Sequence, residues 1–278
     1  FFVPVELNKL SLKILLKNSE SVQFSRKKPE LIILPTTAGS GAEATDFSVI
    51  YIDNIKYSFF SKFLRPDKVI CDVELIKYAP DKILNSSGID ALVQSIESIL
   101  SIQANQKSYE YASSALSLLW NSIEKSYKTR NFHELNNMIK GSHLAGQAIN
   151  ISKTTANHAL SYKITTLYNV SHGHCVGMLL PQFLNLYSKI LKKESCNHLQ
   201  LKYKINKILE STKNESLEEF IVNYNSLLKN LNLDNYNTLF KRNNFDINLI
   251  ASSVNLDRLK NNPIILNQKE LKKILMND

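Results

Sequence analysis

The stretch Ser86-Ser87-Gly88-Ile89-Asp90-Ala91-Leu92-Val93-Gln94-Ser95-Ile96-Glu97-Ser98-Ile99-Leu100 decides how this chain is read. Ile89, Leu92, Val93, Ile96, Ile99 and Leu100 recur at three- and four-residue spacing, the signature of an α-helix with a buried face. Asp90 and Gln94 are four residues apart, so their side chains share one face of that helix. Two oxygen-bearing groups could thus serve one metal ion; the plainer alternative makes Asp90 a helix cap or a surface hydrogen-bonding group.

Toward the C-terminus the helical period continues, with segments expected at about 108–125, 132–151, 156–167, 175–192, 196–210 and 216–230. Toward the N-terminus the texture changes. Leu31–Thr36 is an apolar run, Phe47–Asp53 is rich in β-branched and aromatic residues, and Val69–Asp72 is a third short apolar piece, all reading as strands. A strand-rich region at 1–82 therefore hands over to a helical domain at 83–278. The sequence contains neither an internal repeat nor a low-complexity linker.

The 278 residues suffice for one large domain or two ordinary ones, and 44% hydrophobic with 21% charged residues is ordinary globular composition. Cys71, Cys175 and Cys196 are too few and too scattered for a disulfide scaffold or a thiolate zinc cluster, which points to a reducing, cytoplasmic setting. No apolar run reaches the roughly 20 residues that span a bilayer. The formal charge of +9 invites a nucleic-acid reading, yet only Arg26, Arg65, Arg130, Arg242 and Arg258 of the 34 basic residues are arginine. The lysines are interspersed with acidic residues and asparagines, and no helix-turn-helix, RNA-binding or zinc-finger pattern accompanies them.

Glycine is scarce and informative. The seven are Gly39, Gly41, Gly88, Gly141, Gly146, Gly173 and Gly177. Pro35-Thr36-Thr37-Ala38-Gly39-Ser40-Gly41-Ala42-Glu43-Ala44-Thr45 follows an apolar strand, and its hydroxyls and exposed backbone N–H groups suit nucleotide phosphates or ribose. It lacks the P-loop lysine and the spacing of the dinucleotide fingerprint. Gly141 and Gly146 read as close helix packing. His158, His172 and His174, with His143 before them, form the densest histidine region. His158 and His172 are 14 residues apart, about 21 Å on one continuous helix, too far to share an ion. A break at Leu167-Tyr168-Asn169-Val170-Ser171-His172-Gly173 would let the chain turn back. Asp90, His158 and His172 then make a two-histidine, one-carboxylate set suited to Fe(II) or Zn(II), with Gln94 as a fourth oxygen ligand.

Together, the Pro-Thr-Thr-Ala-Gly-Ser-Gly-Ala-Glu loop, the Gly-Ile-Asp-Ala-Leu-x-Gln helix and the paired histidines resemble the iron-containing (group III) alcohol dehydrogenases. The segment Asn255-Leu256-Asp257-Arg258-Leu259-Lys260-Asn261-Asn262-Pro263 is similar to that family's C-terminal segment. Gln94 and Ser161-Tyr162 look most like its phosphonoacetaldehyde reductase branch, which would belong to phosphonate metabolism. The resemblance implies a dehydroquinate synthase-like fold, with a reduced N-terminal α/β part and a C-terminal all-α metal-binding domain. It also implies a divalent ion on Asp90, His158 and His172. Most members have histidine at Gln94, and an amide oxygen is a weaker ligand. Many have histidine at Tyr162, which here would relay a proton or pack. Thr36, Thr37, Gly39 and Ser40 match cofactor-contacting positions for NAD(P)H, and Lys56 resembles a lysine near the cofactor.

The resemblance fails upstream. Relatives grip the pyrophosphate with a Gly-Gly-Gly-Ser turn, and here no glycine precedes Gly39. The expected function is a soluble oxidoreductase interconverting an aldehyde and a primary alcohol with a nicotinamide cofactor, without nucleic-acid or membrane partners and with room for a homodimer. The rival is an N-terminally truncated, non-catalytic member that folds but does not hold cofactor.

Overall fold

The computed structural model describes residues 29–52, 55–193 and 198–276. The Lys- and Leu-rich stretch at 7–17 and Cys196 lie outside the described residues. Among the described residues, the N-terminal part contains two small sheets. Strand β1 (Ile32–Ile33) pairs in parallel with β4 (Lys68–Val69), and β2 (Phe47–Ile52) pairs antiparallel with β3 (Ile55–Phe60). Leu31 N–H donates to the Asp67 carboxylate at 2.8 Å, closing the end of the parallel ladder. In the hairpin, Phe47 lies opposite Phe60 with ring centroids 5.6 Å apart, and Lys153 places its ammonium over both rings.

Two strand expectations need correction. The segment Ile55–Phe60 is a strand that sequence reading passed over, although its period-2 alternation of Ile55, Tyr57 and Phe59 with Lys56 and Ser58 is a strand pattern. The third apolar piece stops at Val69, because the Asp72 side chain accepts from Glu74 N–H at 3.0 Å and turns the chain into a helix.

Among the described residues twelve α-helices follow: α1 (Glu74–Lys77), α2 (Asp81–Leu100), α3 (Gln106–Thr129), α4 (Phe132–Ser152), α5 (Ala156–Tyr168), α6 (His172–Leu191), α7 (Leu199–Thr212), α8 (Leu217–Asn230), α9 (Tyr236–Asn243), α10 (Ile247–Ser252), α11 (Leu256–Leu259) and α12 (Gln268–Met276). Helix α2 is buried almost all round from Leu84 to Leu100, so it forms the central rod of the helical part. Helices α3, α4, α6 and α7 pack against it. Its C-terminus is closed by the buried Lys204 of α7, whose ammonium donates to the carbonyls of Ile99 (3.1 Å) and Ser101. Among the described residues, no helix is long and apolar enough to cross a membrane.

Polar ends fix the helix boundaries. A capping box between Asn105 and Ser108 starts α3, and Arg130 in the left-handed conformation ends it. Asn169, also left-handed with φ 52°, ends α5, and α6 begins three residues later at His172. This is the break that lets two helices carry the two histidines.

Candidate metal centre

Asp90 and Gln94 lie one turn apart on α2, His158 in the first turn of α5, and His172 at the start of α6. Close helix packing brings these elements together. Gly173 and Gly177 sit on the α6 face that touches α2. A Cβ at Gly173 would collide with the Ser86 carbonyl, and one at Gly177 with Ile89. The absent side chains let the first turn of α6 settle directly on α2, where Ser86 Oγ bonds Ser171 Oγ (3.0 Å) and accepts from His174 N–H (3.2 Å).

Asp90, His158 and His172 each offer one ligand atom, all within 4.8 Å of one another. The Asp90 carboxylate is 3.3 Å from His158 Nε2 and 3.9 Å from His172 Nε2. The imidazole centroids are 5.4 Å apart. Asp90 Oδ1, Gln94 Oε1 and His158 Nε2 are all buried and none makes a hydrogen bond. The site is open on one side, for the His172 side chain is 35% exposed while those of Asp90 and His158 are below 10%.

Charge is strongly coupled here. Burial pulls the His158 imidazole down, but the Glu97 and Asp90 carboxylates outweigh it and hold the ring up at about 9. Burial likewise pushes Asp90 and Glu97 up, and the facing imidazoles outweigh it, so both carboxyls stay below their ordinary range.

Tyr162 lies one turn beyond His158 on α5. Its ring stacks on His172, centroids 5.6 Å apart and planes within 4°. Its hydroxyl accepts a hydrogen bond from Arg258 Nη1 at 3.2 Å, and the Arg258 guanidinium lies 5.2 Å from its ring centroid. Burial pushes the phenol above its ordinary range, with Arg258 opposing. Ser161 is buried, its Oγ donating to the His158 carbonyl at 2.8 Å.

The other histidines stand apart. His174 is buried with Nε2 at 2.8 Å from the Asp234 carbonyl, and His143 faces the buried Glu43 at 3.2 Å. In the Thr36–Gly41 loop, Ala38 and Gly39 are buried, while Thr36, Thr37 and Ser40 are exposed. Gly39 abuts Ser87 of α2, and Gly41, at φ 59°, lies backbone to backbone against Gly146 of α4. Gly146 thus serves close packing, as does Gly141 against Leu119. Lys56 lies on β3 opposite Tyr51, and its side chain is outside the described residues.

Sequence reading gave Glu97 no role. It is fully buried beneath His158 and contacts its Nδ1, and its signal was available: Asp90, Gln94 and Glu97 fall at i, i+4 and i+7 of one apolar helix. Arg258 lies in a segment singled out for resemblance, but its partner Tyr162 is 96 positions away.

Residues 85–278 match the profile described as the Fe-containing alcohol dehydrogenase family, C-terminal, and residues 6–73 match iron-containing alcohol dehydrogenase. The chain belongs to the iron-containing alcohol dehydrogenase family. It is 31% identical over 151 residues to a long-chain-alcohol dehydrogenase of Geobacillus thermodenitrificans, covering 54% of this chain and 38% of the relative. It is 29% identical over 157 residues to a phosphonoacetaldehyde reductase of Streptomyces viridochromogenes, covering 55% and 40%. The chain thus spans less than half the length of these two relatives in its matches. A solved sulfoacetaldehyde reductase from Bifidobacterium kashiwanohense, in complex with NAD+, superposes with a TM-score of 0.79 at 24% identity over 90% of this chain and 65% of that one. The likeness establishes the iron-containing alcohol dehydrogenase fold, with a small α/β part preceding a helical one.

Proposed function

We propose that this family member is a metal- and nicotinamide-dependent oxidoreductase interconverting an aldehyde and a primary alcohol. The observation that carries the reading is the convergence of three buried atoms without hydrogen bonds, Asp90 Oδ1, Gln94 Oε1 and His158 Nε2, with His172 beside them. Buried polar atoms that make no hydrogen bond are destabilising, and a divalent cation satisfies carboxylate, amide and imidazole donors together. Asp90, His158 and His172 would hold Fe(II) or Zn(II), with Gln94 as a neutral fourth donor. Once bound, the metal supplies Lewis acidity toward a carbonyl oxygen and the nicotinamide supplies hydride.

The protein's own groups do the remaining work. Asp90 contributes the negative charge that compensates the dication. The exposed side of His172 leaves a path for substrate. Arg258 donates to the Tyr162 oxygen and so orients the phenol, which would relay a proton toward the developing alkoxide. Thr36, Thr37, Gly39, Ser40 and Lys56 would contact the cofactor, dividing the chain into a nucleotide-facing part at 1–82 and a metal-binding part at 83–278.

The finer reading is an aldehyde with an anionic tail, such as phosphonoacetaldehyde. It is supported by Gln94 and Ser161-Tyr162 and by the Arg258 guanidinium over Tyr162. Anaerobic reconstitution followed by metal analysis and aldehyde-dependent NAD(P)H oxidation tests the main reading. Stoichiometric metal with turnover is expected, and a chain that takes up neither Fe(II) nor Zn(II) overturns it. A higher kcat/KM for phosphonoacetaldehyde than for an uncharged aldehyde of equal length, lost in Arg258→Ala, is expected for the finer one.

A further inference from the structure

Glu97 lies on α2, seven residues after Asp90 and fully buried. Its described partners are all donors. One carboxylate oxygen accepts from Thr155 N–H (2.9 Å), Thr155 Oγ (2.6 Å) and His158 N–H (3.3 Å). The other faces Asn157 Nδ2 (3.5 Å) and His158 Nδ1. Asn157 Nδ2 also donates to the Val176 carbonyl at 3.1 Å, which ties this cluster to α6, the helix that carries His172.

An ionised carboxylate only accepts hydrogen bonds. Facing Glu97, the hydrogen of the neutral His158 ring belongs on Nδ1. The lone pair then lies on Nε2, the atom that points at Asp90 and makes no hydrogen bond. A divalent cation needs that lone pair, so the ring with its hydrogen on Nε2 cannot ligate from this position.

We propose that Glu97 is a positioning residue for metal binding: it holds His158 as the Nδ1–H tautomer and so makes Nε2 the ligand atom. The proposal rests on the metal reading of Asp90, His158 and His172. It separates from a purely structural role, because Glu97 also caps the first turn of α5 through Thr155 N–H and His158 N–H. In Glu97→Gln the amide oxygen can keep those caps. The amide N–H2 then faces His158 Nδ1 and donates to it, which moves the ring hydrogen to Nε2.

The test is the Zn(II) dissociation constant of wild type and Glu97→Gln, by competition with a chromophoric chelator at one pH, alongside thermal unfolding of both. The expected result is a loss of about 10- to 100-fold in Zn(II) affinity, with a cooperative unfolding transition retained. Equal affinity in a folded Glu97→Gln overturns the proposal. A second measurement does not depend on the variant folding: long-range 1H–15N correlation spectra of histidine-labelled, Zn(II)-loaded wild type. His158 should show hydrogen on Nδ1 and metal on Nε2, and the reverse overturns the assignment. Wild type that binds no Zn(II) or Fe(II) overturns the metal reading itself and the proposal with it. Normal wild-type binding with an insensitive Glu97→Gln overturns the proposal alone.

Discussion

The helical interior around Asp90 and the Thr36–Gly41 loop carry the two halves of the proposed chemistry, and they are built on opposite principles. In the interior, the side chains of Asp90, Gln94, Glu97 and His158 are buried, and the backbone of α2 is occupied by its own helix bonds. In the loop, the backbone at Ala38, Gly39 and Gly41 is buried and the hydroxyl side chains of Thr36, Thr37 and Ser40 face out. Gly39 and Gly41 seat the loop on α2 and α4. The contrast teaches where free energy concentrates. A buried polar cluster is all-or-none, because each member left unsatisfied carries its full desolvation penalty. An exposed loop distributes its grip over several weak contacts, each replaceable by water.

The sharpest way to break this contrast is Asp90→Ala. Removing the anionic donor should lower Fe(II) or Zn(II) affinity by more than about 100-fold, beyond the usual effect of a residue that only orients a ligand. Metal analysis after anaerobic reconstitution and dialysis reads it, and stoichiometric metal in the variant would show that the buried set is not the site.

Lys204 tests the interior without touching the centre. Burial pulls its ammonium down to about 8, well below the unfolded chain's 10.5. From about pH 8 to 10 the unfolded state holds a proton that the folded state has released, so this group makes stability rise with pH. Across that window the contribution is at most about 3 kcal/mol. Lys204→Met should abolish the rise and leave two helix-end carbonyls unsatisfied at neutral pH, as denaturant titrations at several pH values would show. A stability profile identical to wild type would refute the role.

Gly146→Ala probes the seam between the two regions. The added methyl meets the Gly41 carbonyl oxygen and the Ala44 side chain, and overpacking of this kind costs about 1–3 kcal/mol. The expected outcome is weakened NAD(P)H binding with metal content unchanged, and a loss of metal instead would show that the loop supports the centre. The smallest effect belongs to Ser40→Ala. One exposed hydroxyl contributes about 0.5–1.5 kcal/mol, so NAD(P)H affinity should fall by no more than about tenfold with unfolding unaffected. A larger loss would mean that the loop is as preorganised as the interior.

Much of this was legible before folding was considered. The helical segments read from periodicity match α2 to α8 within a few residues, because each carries a regular apolar face that no strand pattern can mimic. The break before His172 was readable from Asn169 and Ser171, residues that favour left-handed and capping positions. The hairpin strand Ile55–Phe60 was equally readable and was passed over. Glu97 was harder, since a glutamate in an apolar helix announces burial only when its partners are known.

The sequence by itself determined the helical architecture, the residue types able to bind a metal and the family, because all three are written in local spacing and short motifs. Tertiary structure decided which of those residues meet. Glu97 beneath His158, Arg258 at Tyr162, Lys204 at the end of α2, and the exclusion of His143 and His174 from the centre are contacts between distant positions. Within the centre, the contacts depend on how closely α2, α5 and α6 approach. That approach is set by packing at Gly173 and Gly177, and packing is a property of two surfaces together, which neither segment's periodicity specifies alone.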